Sequence, residues 1–221
     1  MEKFLRKSKD VAITGRFARW YDKNSRKNRL EELRGYAAEI AGAVKPGDAV
    51  LEVAPGPGYI SIELAKMGRY HITGMDISAD FVEICKANAA REQVAVDFVQ
   101  GTVSAMPFTE NRFDYLFCSA AFKNFHDPPR ALGEMYRVLK PGGKGLIIDM
   151  NKDTTAAIRK AEIDKMGLKG FEHLFMTFCF AFILRDGAYL KRDFEAMLRD
   201  APFRQWSVET RGISIYVYLY K

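Results

Sequence analysis

The sequence predicts an α/β domain built on a doubly wound, mostly parallel sheet that closes with an antiparallel C-terminal strand. Three observations predict it. Short apolar runs alternate with helix-period stretches from Val50 to Met150, the pattern of right-handed strand–helix–strand crossovers. One such unit, Val50 to Asp76, is complete in itself: apolar strand, glycine turn, amphipathic helix, second strand, acid. Last, Gln205 to Thr210 and Ile213 to Tyr220 flank Arg211-Gly212 as the two arms of an antiparallel hairpin.

The elements follow in order. Residues 1–45 read as a helical arm or cap, because Leu30, Leu33, Ala37, Ile40 and Val44 recur at helical spacing and predict a helix over 29–44. Lys45-Pro46-Gly47-Asp48 ends it and delivers the first strand at Val50. Ile60, Leu64 and Met67 form the inner face of the next helix, and Tyr70 to Met75 the second strand. Phe81, Ile84 and Cys85 face inward on the helix after Asp76. Val94 to Val99 and Phe113 to Cys118 are the third and fourth strands. Asp127-Pro128 is a helix start, an N-cap acid before proline at the first position, with Leu132, Met135, Tyr136 and Leu139 as the buried stripe. Lys144 to Met150 is the fifth strand. Residues 46–221 thus form one domain, with a helical insertion at about 151–189 placed to act as a lid.

Length and charge narrow the classes. At 221 residues the chain suits one large α/β domain with a full core. Cys85, Cys118 and Cys179 show no paired spacing, so a reduced, cytoplasmic setting without a metal cluster is expected. Met1 to Asp10 is charged and reads as no signal peptide. The longest apolar run, Leu174 to Leu184, is about half of a bilayer span. The net charge of +6 belongs wholly to residues 1–34, which hold eleven Lys or Arg against five Asp or Glu. Such an arm suits a solvated cap, a nucleic acid or peripheral contact with an anionic membrane.

The first turn points to a nucleoside ligand. Gly56 and Gly58 allow a sharp turn and a close backbone approach, and Asp76 is placed for two ribose hydroxyls. A dinucleotide is disfavoured. Ser61 stands where the third glycine belongs, Pro57 removes an N–H, and Glu52 would repel a diphosphate. The same Glu52 would suit a ligand carrying an ammonium or a sulfonium; S-adenosylmethionine fits that description and NAD does not.

Leu51 to Gly58, Gly74 to Ser78, Phe113 to Ser119 and Arg137 to Gly143 resemble, in order and interval, motifs I, II and IV and the turn before the fifth strand of class I S-adenosylmethionine-dependent methyltransferases. Ala121 to Phe125 with the Arg137 turn resembles the ubiquinone/menaquinone-biosynthesis type. The resemblance implies a Rossmann-like, seven-stranded fold. It also implies a cofactor set of Tyr21, Glu52, Ala54, Gly56, Gly58, Asp76, Ile77, Gly101, Thr102, Val103 and Ser119. In it Glu52 orients the amino-acid part, Asp76 holds the ribose, Thr102 and Val103 meet the adenine, Ser119 offers its carbonyl and Tyr21 closes from the arm. The chain departs from the pattern at Ala54, where many relatives have glycine, and at Thr102, where many have an adenine-side Asp. It departs again at Lys123-Asn124, where many carry a His pair.

Methyl transfer to an acceptor that is not yet a nucleophile needs a base, and Asp149, His126 and Lys123, with Tyr189 beside them, are the candidates near the strand ends. The expected reaction is direct displacement onto a small apolar or aromatic molecule. Met166, Phe171, Phe175, Met176, Phe178, Phe180 and Phe182 supply either core or an apolar acceptor wall. Two other readings remain. A nucleic-acid methyltransferase would use the basic arm, but Ser119-Ala120-Ala121-Phe122 is no Asn-Pro-Pro-aromatic signature. A cofactor-binding, non-catalytic subunit would explain Thr102 and the absent His pair.

Overall fold

A computed structural model describes residue 10, residues 12–165, residue 170 and residues 187–221. Its elements are α1 (Gly15–Asn28), α2 (Leu30–Ala41), β1 (Ala49–Val53), α3 (Tyr59–Met67), β2 (His71–Asp76), α4 (Ala79–Arg91), β3 (Asp97–Gln100) and β4 (Phe113–Ser119), then α5 (Pro128–Val138), β5 (Leu139–Met150), α6 (Ala156–Lys165), α7 (Lys191–Arg199), β6 (Gln205–Arg211) and β7 (Ser214–Tyr220). The strands form one sheet in the order β3-β2-β1-β4-β5-β7-β6. Only β7 runs against the others, pairing antiparallel with both β5 and β6.

Side-chain alternation along the strands makes two cores. Leu51, Val53, Leu116, Cys118 and Ile147 point to one face, where Leu132 and Met135 of α5 and Phe194 and Leu198 of α7 cover them. Val50, Tyr115, Phe117, Leu146 and Ile148 point to the other, under Ala37 and Ile40 of α2 and Ile60 and Leu64 of α3. A smaller cluster of Ile62, Val82, Cys85, Ala89 and Phe98 seats α4 against α3 and β3. The strand order reverses between β1 and β4, the switch point beyond whose carboxyl ends sheets of this kind hold their ligands.

The local signals work as their chemistry requires. Asp127 caps α5 by accepting from Arg130 N, with Pro128 following, and Ser78 caps α4 by accepting from Phe81 N. Three boundaries differ from expectation. The helix expected over 29–44 ends at Ala41, with Gly42 at its C-cap, while Val44 still packs inward. The third strand begins at Asp97, because Gln93 turns into the left-handed region after α4 and pairing to β2 starts at Thr73. The fifth begins earlier, at Leu139, which pairs with Phe113 before a register shift re-aligns Lys144 with Tyr115. The aromatic and methionine residues named between 166 and 182 lie outside the described residues, as does Cys179. Among the described residues no helix is long and apolar enough to cross a membrane.

Candidate functional site

Glu52 lies next to the end of β1, before the equally buried Val53, with 2% of its surface exposed. Its carboxylate accepts from Ser61 N at 3.1 Å and from Ser61 Oγ at 2.5 Å, in the first turn of α3. No basic side chain pairs with it among the described residues. Burial pushes this carboxyl up to about 7, against the two Ser61 bonds and with a further push from Asp76. A buried acid without a counter-ion is the feature an incoming cation would satisfy.

The glycine turn beside it is tightly determined. Gly58 sits at φ 80° as the N-cap of α3, and a Cβ there would lie 2.9 Å from Cys85 Sγ and 3.0 Å from Phe98 Cζ. Gly56, at φ 55°, donates its N–H to Asp76 Oδ2 at 3.1 Å and accepts from Cys85 Sγ at 2.9 Å. Ala54 also has positive φ, 56°, a conformation that glycine takes freely and other residues rarely adopt. Asp76 ends β2, accepts from Ser78 N at 2.8 Å, and is held above the usual carboxylate range by burial. Ile77 lies between it and the α4 cap, its carbonyl accepting from Gln100 Nε2 at 3.1 Å.

The arm reaches this turn from outside. The Tyr21 ring on α1 lies over Gly56, within 3.8 Å of where a Cβ would stand, and packs edge-on to Phe81. Asp22 accepts from Tyr59 OH at 2.7 Å and from Asn88 Nδ2 at 2.9 Å, and Asn88 also donates to the Pro57 carbonyl. Gly15 N donates to Asp80, and Ser78 Oγ donates to the Ile13 carbonyl. Asp10 goes further. One carboxylate oxygen accepts from Thr102 Oγ1 at 3.1 Å and Ser104 Oγ at 3.2 Å, the other from His126 N at 2.7 Å. A carboxylate therefore does stand beside Thr102, supplied from residue 10. Sequence reasoning missed Asp10, Asp22, Asn88 and Ser61, since their partners are distant in the chain or carry no motif.

The remaining residues divide into two groups. Gly101 donates its N–H to the Asp76 carbonyl, and Val103 is buried with Met106 and Phe108. Val103 can thus offer a ligand its backbone and not its side chain. Ser119 ends β4 opposite Ile148. Beyond it, Lys123 Nζ donates to Asp149 Oδ1 at 3.0 Å and Lys123 N donates to Oδ2 at 2.8 Å, while Met150 N donates to Oδ1 at 2.7 Å. The Lys123 ammonium also donates to the Ala120 carbonyl. Asp149 and Lys123 are thus one buried ion pair at the ends of β4 and β5. His126 stands apart from that pair, and its Nδ1 is buried without a hydrogen-bond partner. Burial with the Asp149 and Asp193 charges pushes the Tyr189 hydroxyl up to about 12. Burial likewise raises the thiols of Cys85 and Cys118, which keeps both neutral and out of nucleophilic chemistry. Two open surface depressions, one along Arg130 and Arg137 and one along β3, are lined by none of Glu52, Asp76, Lys123 and Asp149.

Residues 51–147 match the family profile described as "Methyltransferase domain". The chain is 32% identical over 157 residues to a ubiquinone/menaquinone biosynthesis C-methyltransferase of Ruegeria sp., covering 70% of this chain and 58% of that protein. It is 33% identical over 150 residues to a demethylmenaquinone methyltransferase of Renibacterium salmoninarum, covering 68% and 55%. The chain therefore spans little more than half the length of these relatives. A crystal structure described as an S-adenosyl-L-methionine-dependent methyltransferase of Methanococcus maripaludis superposes with TM-score 0.79 at 21% identity, over 96% of this chain and 97% of that one. That likeness shows the fold.

Fold, ordered motifs and matched domain point one way: residues 51–147 match a methyltransferase domain, and the chain is similar to S-adenosylmethionine-dependent methyltransferases. Among the relatives are quinone methyltransferases, and S-adenosylmethionine is the cofactor that this similarity implies.

Proposed function

We propose that this protein methylates a ring carbon of a small quinol-type aromatic molecule by direct displacement from S-adenosylmethionine. The observation that carries the cofactor reading is Glu52: an acid buried near the end of β1, beside a glycine turn, with no cationic partner among the described residues. The acceptor reading comes from the relatives named for ubiquinone and menaquinone biosynthesis and for C-methylation.

On this reading residues 1–45 are an arm over the domain of residues 46–221, and Tyr21 covers the bound cofactor. Glu52 and the Ser119 carbonyl take the cofactor's ammonium. Ala54, Gly56 and Gly58 give its chain room, and Asp76 with Ile77 holds the ribose. Gly101, Thr102 and Val103 border the adenine, with Thr102 oriented by Asp10. S-adenosylmethionine supplies a methyl already activated on sulfur, so alignment and exclusion of water are the protein's main tasks.

A quinol ring carbon becomes a good nucleophile once the neighbouring hydroxyl is a phenolate. Lys123, fixed by Asp149, presents its ammonium to that oxygen and favours the anion before and during methyl transfer. Asp149 acts through Lys123 as a positioning residue. His126 contributes through its backbone bond to Asp10, which holds the loop beyond β4 in place. As the carbon–carbon bond forms, the methyl–sulfur bond breaks and leaves its electron pair on sulfur; the ring proton then passes by way of water to the ring oxygen beside Lys123, which restores the aromatic quinol.

The test is an incubation with methyl-labelled S-adenosylmethionine and either a demethylated naphthoquinol or transfer RNA, with products resolved by mass spectrometry. One methyl on a ring carbon of the quinol is expected. Label on the RNA would favour a nucleic-acid enzyme. Cofactor binding with no product from any acceptor would favour a non-catalytic subunit.

A further inference from the structure

Helix α1 has two faces of different chemistry. Ala18, Tyr21, Asp22 and Ser25 recur at helical spacing and turn inward, Ala18 and Ser25 being buried and Tyr21 and Asp22 meeting the glycine turn. The opposite face carries Arg16, Phe17, Arg19, Trp20, Lys23 and Lys27, all exposed. Phe17 and Trp20 are the two most exposed large apolar side chains described, at 57% and 54%, and their rings stack at 5.4 Å with planes 16° apart. The helix has a single acid, Asp22, and it is engaged inward by Tyr59 and Asn88. Arg16, Arg19, Lys23 and Lys27 have no ion-pair partner among the described residues.

We infer that this outer face of α1 docks on an anionic lipid surface. The arrangement is an aromatic plate ringed by cations on an amphipathic helix. That suits the boundary between headgroups and acyl chains, where Trp rings settle and Lys and Arg meet lipid phosphate. The charge is complementary to such a surface, since residues 1–34 hold the whole of the protein's excess of +6. A nucleic acid would want open ring faces set in a basic groove for its bases. Here the two rings stack on each other on a convex helix. Because Tyr21 sits on the same helix above Gly56, docking would bring the mouth of the cofactor site toward the lipid. The inference rests on α1 alone and stands whatever the acceptor is.

The experiment is co-sedimentation of the full chain with vesicles of phosphatidylglycerol and phosphatidylcholine, with vesicles of phosphatidylcholine alone, and in parallel with transfer RNA. Two variants are compared: F17S/W20S, and R16Q/R19Q/K23Q/K27Q. Both leave the inner face untouched, and retained S-adenosylmethionine affinity shows that they fold. The expected result is binding to anionic vesicles only, weakened by salt. Affinity should fall about fivefold per cation removed and about tenfold in the aromatic variant. Vesicle binding that survives either variant, binding to RNA in place of vesicles, or self-association abolished by F17S/W20S would overturn it.

Discussion

Glu52 shows how one residue ties function to stability. Its carboxyl is raised from an ordinary 4.5 to about 7 because burial disfavours the charged form. Between those values the native protein binds more protons than the unfolded chain, so the ligand-free protein loses stability as pH rises from about 4.5 to about 7 and levels off above. The penalty at about pH 8 is roughly 3 kcal/mol. Replacing Glu52 with Gln should remove most of it in urea denaturation at that pH, give little gain near pH 5, and abolish cofactor binding. Asp10 makes the converse prediction. Asp10→Ala frees Thr102, Ser104 and the His126 amide at once. It should cost about 1–2 kcal/mol of stability and weaken S-adenosylmethionine in calorimetric titration. Glu52, Asp76 and the glycines were legible because they lie together within one strand–turn–helix–strand unit. Asp10 was not, because its carboxylate acts on groups 92 to 116 positions away.

At the scale of elements, the turn into α3 and the ends of β4 and β5 set the limits. Gly58→Ala puts a Cβ against Cys85 and Phe98 in a left-handed backbone. A loss of about 2 kcal/mol or more is expected from chemical denaturation, together with loss of cofactor binding. Lys123→Met leaves the Asp149 carboxylate buried beside two backbone N–H groups. That change should cost about 3–5 kcal/mol, and the double variant K123M/D149L should recover most of it. Lys123→Arg keeps the charge and should keep the fold, with a lower kcat and an unchanged KM for the cofactor. Strand and helix periods announced most of these elements. They could not announce that β5 starts at Leu139, because Lys140 to Gly143 reads as a turn and its pairing is fixed by β4. Nor could they show that Asp149 is already occupied, since the nearest sequence clue, Lys123, lies 26 positions away.

The candidate site lies where the sheet's strand order reverses, with α1 on one side and the Lys123–Asp149 pair on the other. The doubly wound order was readable from the alternation of elements, and the antiparallel β7 from the hairpin around Gly212. The sense of the charge asymmetry was readable too. Its arrangement on one helix face needed the structure, because only the contacts of Tyr21 and Asp22 show which side of α1 faces inward. If a cationic nucleoside ligand completes Glu52, calorimetric titration of the native protein and the Glu52→Gln variant with S-adenosylmethionine, its demethylated product and NAD will show it. Micromolar binding of the first two by the native protein, none by the variant, and no binding of NAD are expected. Undiminished binding by the variant, or binding of NAD instead, would contradict it.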